Sequence, residues 1–123
     1  MTDQRPVKGL AVQELASDGH RTLVLRGDLD IASVPVFDAA FERTRLTDPT
    51  ALTLDLSDLA FIDSSGLAAI ILAGKHCERE GCQLALVRGP TGVQRLFELT
   101  GLIDVLPFVD AADDVKGARG HAA

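Results

Sequence analysis

"ALTLDLS", Ala51 to Ser57, is the stretch on which the fold turns. Successive side chains of a strand point to opposite faces, so Leu52, Leu54 and Leu56 share one side and Thr53 and Asp55 the other. A parallel strand covered by helices on both faces reads as a continuous apolar run, whereas a strand with one polar face is covered on one side. The stretch therefore predicts a sheet with helices on the leucine face, and with Thr53 and Asp55 on the more exposed face. A doubly wound nucleotide-binding fold does not fit, and the glycine fingerprint such folds carry after an early strand is missing as well.

Working outward, "SVPVFDAAFERTRL" before the strand has Ser33 to cap, Pro35 for a first turn, and Phe37, Ala40, Phe41 and Thr44 at helical spacing. Upstream of it, "GLAVQEL" and "RTLVLRGDLD" flank Asp18-Gly19 as a β-hairpin. Downstream, "SDLAFID" reads as a loop, and a helix runs from Ser64 to a stop at Gly81. "CQLALVRG" is a further strand, and "PTGVQRLFELTG" a helix with Val93, Leu96 and Phe97 inward. "IDVLPFVD" holds a short last strand, and "AADDVKG" reads as a short terminal helix. The order β-β-α-β-α-β-α-β predicts an α/β, two-layer fold with a small mixed sheet.

At 123 residues the chain has room for one core, and no linker or repeat divides it. Its net charge of −6 disfavours direct contact with nucleic acid, which needs a basic patch. "MTDQRPVK" is polar, and the longest apolar stretch, "GLAAIILAG", is too short for a bilayer, so the expectation is a cytoplasmic protein away from membranes. Cys77 and Cys82 fit a reducing compartment. With His76 they lack a recognised metal spacing, and neither metal nor cofactor is expected.

Chemistry concentrates at "FIDSSGLAAIILAG", Phe61 to Gly74, where hydroxyls precede an apolar run. Asp63 or Ser64 as a helix cap is the structural account. Three features point beyond it. Gly66 leaves backbone near the hydroxyls uncovered. The first half of the helix carries more apolar surface, Ala68 and Leu72 included, than a one-sided sheet can bury. And "GDLD" brings Asp28 and Asp30 to the same edge if the second and third strands are neighbours.

A serine hydrolase fails, since no nucleophile elbow surrounds Ser64. His76, twelve residues along the same helix, lies about 18 Å away at ~1.5 Å per residue. His20 sits in the hairpin turn and His121 in the tail, neither placed to act. An alternative of a different class puts Mg²⁺ on Asp28, Asp30, Asp58 and Asp63, for phosphotransfer or nucleotide binding.

"GDLD", "LTLDLSDLAFIDSSGLAAII" and "GCQLALVRGPTGVQRLFELTGLIDVLPF", in that order, resemble the bacterial anti-sigma-factor antagonists of the STAS-domain family. The likeness runs from about Thr22 to Val109. It implies one STAS domain over residues 1–123, with a core of about 9–117 and short flexible termini. It further implies a non-enzymatic switch that binds an anti-sigma factor with serine-kinase activity and so releases a sigma factor. The kinase phosphorylates the first serine after the aspartate, here Ser64, and a phosphoserine phosphatase resets the switch. The resemblance places Asp30, Asp63, Ser64, Ser65 and Gly66 at the partner surface, and the edge and helix readings above add Asp28, Ala68 and Leu72 to the partner-binding residues expected. Within the family, the alternative is a STAS subunit of a stress-signalling or lipid-transport complex.

Overall fold

The computed structural model describes residues 9–110. β1 (Leu10–Ser17) and β2 (His20–Leu29) form the hairpin, turning through Asp18 and Gly19. Then come α1 (Val34–Arg45), β3 (Ala51–Ile62), α2 (Ser64–Glu80), β4 (Gln83–Val87), α3 (Thr91–Leu99), a 3-10 turn at Leu102–Asp104, and β5 (Phe108–Val109). The strands lie side by side in chain order, with β1–β2 antiparallel and every later pair parallel. Crossovers between parallel strands are right-handed, and here each advances the sheet in the same direction, so the helices fall on one face. The two-layer α/β fold expected from the alternating leucines is the one observed.

Beneath the helices Leu23, Leu25, Leu52, Leu54, Leu56 and Leu86 meet Phe37, Phe41, Ile70, Val93 and Phe97 in one cluster. A fully buried leucine contributes roughly 1.5–3 kcal/mol, so this layer dominates the stability. Phe37, Ala40, Phe41 and Thr44 form the buried face of α1, as their spacing predicted. In α3 the inner face is Val93, Phe97 and the half-buried Leu96, joined by Gln94, whose Oε1 accepts from Gly89 N at 2.8 Å.

The structure corrects several expectations. Thr53, expected on an exposed face, is only 3% exposed although it points away from the helices. Its Oγ1 lies 2.8 Å from His20 Nε2, so a ring from the neighbouring strand covers it. His20 is accordingly the first residue of β2 and not part of the turn. Asp55, half-buried on the same face, accepts from Ser57 N and Oγ.

"SDLAFID" is not a loop, because β3 continues to Ile62. Leu56, Leu59 and Ile62 are all buried at a spacing of three, which a regular strand cannot direct to one face. Two register shifts against β2, between Val24 and Arg26 and between Gly27 and Asp28, each add a residue to β3 and restore the facing. Ser33 occupies the N-cap position of α1 without capping it. Its hydroxyl instead donates to Asp28 O at 2.7 Å and accepts from Asp30 N at 2.9 Å. The last strand is shorter than its stretch implied, since Leu102–Asp104 winds as a turn. "AADDVKG", which is the C-terminal end of the proposed 9–117 core, lies outside the described residues.

Candidate functional site

The parallel pairing of β2 with β3 runs to Asp28↔Phe61 and Leu29↔Ile62. "GDLD" and "FIDSSG" therefore end at the same sheet edge, as expected if the second and third strands are neighbours. The link is direct: Asp63 N donates to Leu29 O, 3.2 Å away, and Leu29 lies between Asp28 and Asp30. Asp28, Asp30 and Asp63 are all half-buried.

At the mouth of α2, Asp63 is the N-cap, in extended conformation, and its Oδ1 accepts from Gly66 N at 3.0 Å. The capping account of Asp63 thus holds. It leaves Ser64 as the first helical residue and exposed, while Ser65 is half-buried. Of the two adjacent hydroxyls, Ser64 is the one more open to another protein. The first-turn amides and the helix dipole give this end a partial positive character that favours an anion.

Gly66 overturns its assigned role. The residue is buried, and a Cβ there would overlap the Leu29 carbonyl oxygen and lie 2.8 Å from Leu29 Cγ and 3.0 Å from Ile62 Cγ1. Glycine is needed because α2 starts pressed against the end of β2. It is a packing residue of the site, not a surface a partner approaches.

The apolar excess of α2 is smaller than its sequence implied, because Leu67, Ala69, Ile70 and Ala73 are all core residues. Ala68 and Leu72 remain exposed, Leu72 at 56%. Two further large apolar residues that sequence reasoning passed over are exposed, just after β2 and near the end of β3. Ile31, next after "GDLD", is 76% exposed, and Phe61, before the cap, is 50% exposed. The signal was available, because Ile31 directly follows Asp30 and Phe61 stands two residues before Asp63. The ends of β2 and β3 and the start of α2 thus carry exposed apolar side chains together with a hydroxyl and carboxylates.

The aspartates do not assemble a cation site. Asp30 Oδ1 accepts from Ser33 N at 3.0 Å, Asp63 is committed to Gly66, and Asp58 faces Arg26 at 3.8 Å. Among the described residues no group of three or more His, Cys, Asp or Glu side chains could hold a metal ion. The phosphotransfer alternative on Asp28, Asp30, Asp58 and Asp63 is therefore set aside. At the far end of α2, Cys77 is buried and Cys82 half-buried, their backbones joined by Cys82 N donating to Cys77 O at 2.9 Å. Burial, and then the neighbouring Cys82, push the Cys77 thiol up to about 12. The exposed His76 has its ring against Phe41. No helix among the described residues is long and apolar enough to cross a membrane.

Comparison with known proteins converges on one family. The STAS domain model matches residues 12–115. The anti-sigma-B factor antagonist of Listeria monocytogenes is 26% identical over 108 residues, covering 88% of this chain and 94% of that protein. Among solved structures, an anti-sigma factor antagonist from Mycobacterium paratuberculosis superposes with a TM-score of 0.82 at 24% identity, over 89% of this chain and 93% of that one. The anti-sigma factor antagonist SpoIIAA in its unphosphorylated form gives 0.75 at 21% identity, over 92% and 98%. SpoIIAA of Bacillus in its phosphorylated form gives 0.68 at 21% identity, over 89% and 98%. With the one-sided sheet, the chain-order strands and a family match over most of its length, this chain belongs to the STAS-domain family.

Proposed function

We propose that this chain is a cytoplasmic anti-sigma-factor antagonist without catalytic activity of its own. In this reading it binds an anti-sigma factor with serine-kinase activity, frees the sigma factor, and is switched off when the kinase phosphorylates Ser64. A phosphoserine phosphatase reverses the modification, and ATP and Mg²⁺ belong to the kinase. The observation that carries the reading is an exposed serine opening α2, directly after its capping aspartate, with Ala68 and Leu72 exposed along the same helix. A relative named as an anti-sigma-B factor antagonist, and another such antagonist solved in phosphorylated form, support it.

The switch follows from electrostatics. A phosphoserine adds about −2 charge. At the start of α2 it meets free amides and the favourable dipole, typically ~0.3–1 kcal/mol, while Asp63 beside it opposes the charge. The fold is therefore nearly indifferent to phosphate. A docked partner is not, because the added charge must lose water among Asp28, Asp30 and Asp63. Like-charge contact in an interface costs several kcal/mol. About 3 kcal/mol already weakens binding more than a hundredfold.

The test uses purified anti-sigma-factor kinases of the source organism, titrated calorimetrically with this protein. The cognate kinase binds wild type and Ser64→Ala, loses Ser64→Asp, and with ATP places phosphate on Ser64. Phosphate found on Ser65 alone, or equal affinity for phosphorylated and unmodified protein, eliminates the mechanism.

A further inference from the structure

The two cysteines lie at the far end of α2, where the serine chemistry has no part. Cys77 is the last buried residue of the helix, and Cys82 stands just before β4. Two backbone bonds close the helix end between them: Cys82 N donates to Cys77 O at 2.9 Å, and Gly81 N to Glu78 O at 3.4 Å. Gly81 makes the turn with a left-handed φ of 72°. This is the Schellman closure, which folds the residue after the glycine back over the last turn of the helix, commonly with an apolar contact. Here the residues that meet are both thiols, and the two side chains hydrogen-bond each other.

Two cysteines that are far apart or point apart cannot be bridged without backbone movement. The closure removes that obstacle, since its own hydrogen bonds already bring the side chains together. The pair is also reachable. Cys77 is only 4% exposed, but Cys82 is half-buried, and both line a groove of about 460 Å³ that opens between α2 and Leu84, Val105, Leu106 and Pro107. A small molecule entering the groove meets Cys82 first. Metal binding is not the use, because among the described residues no third His, Cys, Asp or Glu completes a ligand set.

We propose that Cys77 and Cys82 are a site of reversible intramolecular disulfide formation, oxidised by a small-molecule disulfide. Cys82 gives up its proton, and its sulfur attacks the S–S bond of the oxidant. A mixed disulfide forms, and one small thiolate leaves and takes up that proton. Cys77 then gives up its own proton and attacks the Cys82 sulfur, so that the second small thiol leaves. The two protein thiols have lost two electrons and two protons, and the oxidant has become two thiols. The new bond latches the end of α2 to the start of β4. It joins groups that the fold already holds together and restricts only the unfolded chain, so it stabilises the native protein. By linkage, folding favours the bond by the same factor. Burial, with Glu80 adding to it, pushes both thiols up. Thiolate is therefore scarce near neutral pH, and such thiols also leave slowly, so exchange is slow in both directions. The pair is a slow latch and not a rapid sensor.

The test equilibrates the full chain with reduced and oxidised glutathione at a series of ratios, in native buffer and in urea. Samples are quenched with acid and mapped by mass spectrometry. The native protein is expected to form the Cys77–Cys82 bond under conditions at least about tenfold more reducing than the unfolded chain requires. The oxidised protein is expected to melt above the reduced one, and dithiothreitol to reverse the change. Cys77→Ala is expected to stop at glutathione on Cys82, and Cys82→Ala to stay unmodified. Equal midpoints in native buffer and urea, or a lower melting temperature on oxidation, overturn the proposal. So does wild type that holds glutathione on Cys82 with Cys77 still a thiol, or that forms its disulfide between two chains. Ser64→Ala is expected to behave like wild type here, so the latch and the function proposed above stand or fall separately.

Discussion

Gly66→Ala separates a glycine kept for packing from one kept open for a partner. The added methyl group would overlap the Leu29 carbonyl oxygen and come within 2.8 Å of Leu29 Cγ and 3.0 Å of Ile62 Cγ1. The carbonyl is backbone of β2 and already accepts from Asp63 N, so it cannot turn aside as a flexible side chain does. Relief requires the start of α2 to move away from β2. Overpacking of this kind costs about 1–3 kcal/mol. The movement also stretches the Asp63 N–Leu29 O bond, and a hydrogen bond of that type is worth roughly 0.5–1.5 kcal/mol net. Against this, alanine is the better helix former by up to ~1 kcal/mol. The balance is a loss of about 2 kcal/mol. At ~4 °C per kcal/mol for a domain of this size, the melting temperature drops by about 8 °C. Thermal unfolding followed by circular dichroism, with urea titration for the free energy, measures it. An open, partner-facing glycine would give the opposite sign, since alanine would leave the melting temperature equal or higher and reduce only binding. A Gly66→Ala protein melting within about 2 °C of wild type, or above it, refutes the packing argument.

Asp30 is half-buried and its carboxylate accepts from Ser33 N, so Asp30→Ala is expected to lower stability by about 1 kcal/mol in urea unfolding, as loss of a local cap does. Asp30→Asn keeps that acceptor and is expected to restore stability, so any loss of kinase affinity in Asp30→Asn reports the charge alone. In the native protein at pH 8, Cys77 is expected to resist iodoacetamide and Cys82 to react faster, with both reacting readily in denaturant when mapped by mass spectrometry. Because the fold holds the Cys77 thiol protonated, its stabilising effect is complete below about pH 8.5, the range of an unfolded thiol. It is lost as pH rises toward about 12, so the urea midpoint should fall over that window, and fall less in Cys77→Ala.

Much of the site was legible before any coordinates. "ALTLDLS" announced a one-sided sheet because strand alternation is a local property, and Phe37, Ala40, Phe41 and Thr44 announced the face of α1 for the same reason. Asp63 before Ser64 marked a helix start, since capping needs only the residues of one turn. The spacing of three among Leu56, Leu59 and Ile62 is visible in the sequence too, but it reads as a loop because bulges exist only relative to a partner strand.

What sequence determined by itself, then, was whatever depends on neighbours along the chain: element type, buried faces, turn and cap residues, and the motif that carries the family likeness. Tertiary structure decided the rest. It brought "GDLD" against "FIDSSG" through the pairing of β2 with β3, and set the bulges that extend β3 to Ile62. It buried Thr53 under His20, turned Gly66 from an opening into a contact, and left Ile31, Phe61 and Val105 in solvent while similar residues went inside. The reason is physical: burial and close approach are properties of pairs of segments distant in the chain, and no local pattern says which segment will arrive.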